Sequence, residues 1–126
     1  MKVLYIYAHP EPKSFNAALK NKALDALKEK EYEVALSDLY AMKFHPVLKA
    51  SDFPERKNPD FFNPFLEAIK ASKTGAFSPD IKEEMEKVKR ADLIIFQFPI
   101  FFTAMPAIMK GWIDRKIGRA SCRERV

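Results

Sequence analysis

The chain holds one cysteine, two histidines and three glycines in 126 residues, and each scarcity excludes something. A single cysteine rules out a disulfide scaffold. Two isolated histidines argue against a zinc site of the usual Cys/His type, and no metal is expected. Glycine occurs only at 75, 111 and 118, so the first loop has none. That excludes a P-loop and the G-x-G-x-x-G dinucleotide fingerprint, which need glycine for close backbone approach. Long apolar runs are missing as well: Leu93 to Phe96 and Pro99 to Phe102 fall far short of the roughly 20 residues of a membrane helix, so no membrane insertion is expected. Met1 to Tyr7 leads into His9-Pro10-Glu11 with no small-residue cleavage site. It reads as a buried strand, not a signal peptide, and the cytoplasm is the expected compartment.

What is present fits one globular domain: 48% hydrophobic and 31% charged residues. The net charge of +5 is unevenly placed. Residues 116–126 hold four of the 22 basic and one of the 17 acidic residues, leaving 18 and 16, a net of +2, over 1–115. Lysine and glutamate interleave along the body with no basic stripe, so no nucleic-acid partner is expected. The segment 116–126 also contains Cys122, lacks either periodicity and follows a strongly patterned helix. Its stretch Ile117 to Val126 resembles a translated short-read sequencing adapter. Residues 116–126 are therefore expected to be a non-native tail, with 1–115 the N-terminal part of a domain.

Val3 to Ala8 is a nearly continuous apolar run, as in a strand buried on both faces of a parallel sheet. Phe15, Leu19, Ala23, Ala26 and Leu27 then recur at helical spacing, with Ser14 or Asn16 as N-cap. Tyr32 to Leu39 reads as a second strand. Prolines at 46, 54, 59 and 64 break the pattern from Tyr40 to Phe77, with a short helix expected at Pro64 to Ala71. The aromatics there (Phe44, Phe53, Phe61, Phe62, Phe65) imply that the segment packs onto something. Ser78-Pro79-Asp80 starts a helix whose buried stripe is Ile81, Met85 and Val88. Ala91 to Phe98 is a third strand with Phe96 and Phe98 expected in the core, and Pro106 opens a last helix through Trp112. The alternation of strands and helices predicts an α/β, doubly wound parallel sheet in three layers.

In such sheets ligands bind beyond the carboxyl ends of the strands, where strand order reverses. A 2-1-3 order puts that point between the loops at 9–16 and 99–103. His9, Ser14, Asn16 and the free N–H groups of a helix N-terminus can hold a phosphate. Ser14 and Asn16 serve equally well as plain caps. In the second loop Phe101 and Phe102 either pack plainly or line a planar apolar site where a flat ring would stack, with the N–H groups after Pro99 reaching its polar edge.

Tyr7-Ala8-His9-Pro10-Glu11-Pro12-Lys13-Ser14-Phe15-Asn16, Ser37-Asp38-Leu39-Tyr40-Ala41-Met42, Phe96-Gln97-Phe98-Pro99 and Met105-Pro106-Ala107-Ile108-Met109-Lys110-Gly111-Trp112 together resemble the NAD(P)H:quinone oxidoreductase family of flavodoxin-like flavoproteins. The resemblance implies FAD in preference to FMN, with NAD(P)H and a quinone as small-molecule partners in a two-electron, ping-pong hydride transfer. It places His9, Ser14, Phe15, Asn16 and Ala17 around the flavin's phosphates and ribityl chain, and Pro99, Ile100, Phe101 and Phe102 against the isoalloxazine ring. Phe102 and Thr103 stand where many members have Trp-Phe at the substrate wall. The 40–77 segment corresponds to one that supports the adenine half and touches a partner subunit, which implies a homodimer. Asn63 falls near a position that is glutamine in some members. The family's catalytic tyrosine and histidine, and its glycine-rich turn, match nothing up to Trp112. The chain is accordingly expected to be a fragment truncated after the third strand and its following helix. It is expected to be inactive alone, poorly soluble, and to bind flavin weakly or not at all. The alternative is a flavodoxin-like ancillary subunit of a membrane transport system.

Overall fold

A computed structural model of the chain describes residues 1–116; the tail expectation for 117–126 lies outside them. Three parallel strands, β1 (Lys2–Tyr7), β2 (Glu33–Asp38) and β3 (Leu93–Gln97), form one sheet in the order β2-β1-β3. β1 is central because it can be: Val3, Leu4, Tyr5, Ile6 and Tyr7 are all buried, on both faces. The register pairs Tyr7 with Asp38 on one side and with Gln97 on the other, so three loops leave the sheet at one level.

Helix α1 (Phe15–Glu29) covers one face. Ser14 is its N-cap, its Oγ accepting from the Ala17 N–H at 3.0 Å; Asn16 is the second residue of the first turn. The predicted stripe is rotated. Ala17, Ala23, Leu24 and Leu27 pack toward Tyr5, Tyr7 and Ile95, while Phe15 and Leu19 face solvent. Lys20 takes the place expected of an apolar residue: its stem lies on the sheet, its ammonium 4.7 Å from the Tyr7 ring and 3.7 Å from Asp38.

The other face carries α3 (Pro79–Arg90) and α4 (Ala107–Lys116). Ile81, Met85 and Val88 bury as their spacing requires, joined by Met109 and Trp112 of α4 against Leu4, Ile6 and Ala8. Glu84 is buried in the same stripe. It accepts from Ser37 Oγ (2.7 Å), Trp112 Nε1 (3.0 Å) and the Lys87 ammonium (2.7 Å), so both carboxylate oxygens are partnered. The 40–77 segment contains a 3-10 turn at Ala50–Asp52 and α2 (Pro64–Thr74), capped by Asn63 and ended by Gly75 in the left-handed region. Phe44 and Phe53 pack as expected, but Phe61 and Phe65 are exposed.

Two ionic anchors hold this segment. Arg115 is buried between Asp52 (Nη2–Oδ1 2.8 Å) and Asp80 (Nη1–Oδ2 2.9 Å), and donates to the His45 carbonyl at 2.7 Å. Burial pulls the Arg115 pKa down, and the bonds to Asp52 and Asp80 more than reverse it. Glu67, also buried, accepts from the N–H groups of Lys57 (2.7 Å) and Asn58 (3.1 Å).

β3 differs from expectation. Phe96 is 43% exposed and Leu93 42% exposed, although Phe96 still meets Trp112 edge-on at 5.8 Å. Both β1 flanks are paired, but β3 has a partner on one side only among the described residues, which leaves that edge open.

Candidate functional site

The two loops singled out by the sheet topology meet. The His9 and Phe101 ring centroids lie 6.4 Å apart, inclined by 59°. His9 Nδ1 accepts from the Glu11 N–H at 2.9 Å, which places the imidazole proton on Nε2 and makes that atom the donor. The Glu11 carboxylate in turn accepts from the Lys13 N–H, and its carbonyl from the Ser14 N–H. The glycine-free loop is thus folded by its own side chains.

At the start of α1 the N–H groups of Phe15 and Asn16 have no intrahelical acceptor, and the helix dipole adds partial positive charge there. Ser14 Oγ is spent as acceptor on Ala17 but keeps its own proton. Phe15 points its ring to solvent, 77% exposed, so what it offers a ligand is main chain, whereas Ala17 is buried against β1 with its N–H already given to Ser14 Oγ. Donors dominate this end of the site, as an anionic group requires.

The second loop is a tight reversal. Phe101 and Ala104 exchange both main-chain hydrogen bonds, and Phe102 (φ 47°) and Thr103 (φ 77°) occupy the left-handed region between them. Two positive φ values make a type I′ turn, here built without glycine. The reversal uses the Phe101 N–H, so of the donors after Pro99 those of Ile100, Phe102 and Thr103 have no acceptor among the described residues. It also leaves apolar surface uncovered: Ile100 is 70% and Phe102 99% exposed, while Pro99 is half-buried at the strand's end. Strained, uncovered apolar residues beside a donor-rich helix start suit a ligand with an anionic end and a flat apolar end. A flavin nucleotide is such a ligand.

Asn63 does not stand free for an adenine contact through its oxygen. Oδ1 accepts from Phe65 N and Leu66 N at 3.1 and 3.3 Å as the cap of α2. Asp38, Tyr40, Lys20 and Tyr7 line a cleft of about 320 Å³ beside His9, Pro10 and Pro12. Sequence reading passed over Gln97, which ties the two loops together. Its Nε2 donates to the Asn16 carbonyl at 2.7 Å. The available signal was a lone polar residue in an otherwise apolar strand. No group of three or more potential metal ligands occurs among the described residues, and no helix among them is long and apolar enough to cross a membrane.

Residues 1–120 match the family model for the flavodoxin-like fold. The chain is 48% identical over 115 residues to human ribosyldihydronicotinamide dehydrogenase [quinone], covering 90% of this chain and 50% of that one. It is likewise 48% identical over 115 residues to guinea-pig (Cavia porcellus) NAD(P)H dehydrogenase [quinone] 1, covering 90% and 42%. A Klebsiella pneumoniae protein crystallised as a presumed quinone reductase superposes with a TM-score of 0.88 at 50% identity, over 92% of this chain and 45% of that one. The chain spans about half the length of the curated relatives it matches. It belongs to the flavodoxin-like fold family.

Proposed function

We propose that this chain is the N-terminal part of an FAD-dependent NAD(P)H:quinone oxidoreductase, with His9, Ser14, Phe15, Asn16 and Ala17 holding the phosphate and ribityl end of the flavin. Pro99, Ile100, Phe101 and Phe102 form the surface for its ring, and Phe102 and Thr103 one wall for the quinone. The observation that carries the reading is the meeting of His9 and Phe101, which puts a donor-rich helix start and an apolar turn in one crevice. The similarity to quinone dehydrogenases supports the same reaction class.

When bound, the flavin supplies hydride transfer between nicotinamide and quinone. This chain's residues bind and orient: His9 Nε2 and the α1 N–H groups meet the anionic end, and the aromatic turn excludes water from one side. No residue of this chain is assigned to the hydride step itself. A homodimer and a cytoplasmic location belong to the same proposal, and FAD is favoured over FMN. The transport-subunit alternative has no support among the relatives named above.

Titration of the refolded chain with FAD and with FMN, followed by flavin fluorescence, tests this. Weak saturable binding, FAD ahead of FMN, with no nicotinamide oxidation by the chain alone, is the expected result. Binding unchanged in Phe101→Ala and His9→Ala would overturn it.

A further inference from the structure

Gln97 is the one polar residue of β3, in register with Tyr7 and diagonal to Tyr5. Its carboxamide is held at both ends. Nε2 donates to the Asn16 main-chain oxygen at 2.7 Å and reaches Asn16 Oδ1 at 3.3 Å, while Oε1 accepts from the Tyr5 hydroxyl.

The direction of this chain of bonds is forced. A main-chain carbonyl only accepts, so the Gln97 atom facing Asn16 has to be the NH₂ group. Its oxygen is then turned to Tyr5, whose hydroxyl has to donate. Burial, and the neighbouring Tyr7, push the Tyr5 pKa up from its ordinary 10.0, which keeps that proton in place. The Asn16 side chain inherits the order. Its Oδ1 faces the Gln97 donor, and its Nδ2 makes no hydrogen bond among the described residues.

We propose that Gln97 is a positioning residue for the cofactor crevice. It clamps the end of β3 to the first turn of α1 and turns the Asn16 carboxamide so that its NH₂ is the free donor. The ligand group this suits is an acceptor oxygen, of a phosphate or a hydroxyl. The identity of that ligand rests on the flavin reading, whereas the clamp rests on the geometry alone. An apolar side chain of equal length would fill the same layer and supply neither bond.

Two variants separate the clamp from mere packing. Gln97→Met keeps the shape and removes both bonds. Gln97→Glu keeps the function only when protonated: the acid O–H donates to the Asn16 carbonyl and its C=O accepts from Tyr5. The ionised carboxylate faces that carbonyl with like charge. Hydrogen exchange of the peptide spanning 14–19, each variant normalised to wild type at the same pH, reads the clamp without any ligand.

The expected result is about tenfold faster exchange in Gln97→Met. Gln97→Glu should match wild type near pH ~4, below an ordinary glutamate pKa, and match Gln97→Met near pH ~8. Exchange at wild-type rates in Gln97→Met, or a Gln97→Glu profile without this pH dependence, would overturn the proposal. FAD titration of the same proteins distinguishes the two failures. If wild type binds and Gln97→Met binds equally well, positioning is wrong. If wild type does not bind, the exchange result alone decides the clamp.

Discussion

A Cβ on Gly111 would stand 2.2 Å from the carbonyl oxygen of Pro46 and 2.4 Å from its Cβ. Helix α4 and the loop after β2 therefore touch backbone to backbone, and only glycine leaves the room. Gly111→Ala gains roughly 1 kcal/mol of helix propensity. It also forces the loop off α4, an overpacking cost of about 1–3 kcal/mol or more. Net destabilisation is expected, read as a lower urea midpoint with unchanged slope; a raised midpoint would contradict the close approach.

Arg115→Met is expected to cost about 3 kcal/mol, because buried Asp52 keeps only the exposed Lys49 ammonium, 3.8 Å away, as counter-charge. Asp80 is half exposed at its side chain and matters less. Adding Asp52→Asn to Arg115→Met should recover part of the loss in urea unfolding, and strictly additive single effects would show that the pair is not coupled.

Stability around residues 55–58 should fall in acid. The Lys57 N–H holds the Glu67 carboxyl below its ordinary 4.5, burial opposes this, and Asn58 and Arg56 add to the lowering. A depressed carboxylate contributes stability that is complete above its unfolded pKa and disappears as pH falls through the folded one. Proteolysis at 55–58 should therefore accelerate as pH falls below that ordinary 4.5 in wild type. In Glu67→Gln it should be fast and nearly independent of pH.

Thr103 is β-branched at φ 77°, a conformation that asparagine tolerates far better. Thr103→Asn is expected to stabilise the turn by about 0.5–1 kcal/mol, visible as a higher urea midpoint. A fall would mean that the Thr103 side chain contributes more than its backbone costs.

Leu93→Lys should raise the soluble fraction of the refolded chain. It places a charge on an edge strand at a position where Leu93 is 42% exposed. Light scattering at equal concentration checks it, and no change would locate self-association elsewhere.

The strands and helices were legible because their signals are local: the apolar run of β1, the Ser14 cap, and Ser78-Pro79 at α3. Even there the hydroxyl of Ser78 bonds Asp80 and not the helix N–H groups, a detail no propensity carries. The rotation of α1 escaped because Lys20 uses its stem as an apolar group, so the periodicity pointed to Phe15 and Leu19 instead. Phe96 was misjudged for a different reason. An apolar strand is buried only when it has neighbours on both sides, and composition cannot count neighbours. The two site loops were legible from topology plus residue type. Gln97, Gly111 and Arg115 were not, since each acts on a residue more than sixty positions away.

That separation has a temporal consequence. Asp52 and Arg115 are 63 residues apart in the chain, and Asp80 also waits for the same guanidinium. During synthesis, β1, α1 and β2 can associate early, because their pairings are available once residue 38 has emerged. The segment beyond them acquires its clamp only after α4 has been made, so the half of the structure that faces α3 and α4 is assembled last. A ribosome paused before residue 115 would carry a nascent chain whose first two strands are paired and whose long connection is still searching for its anchor.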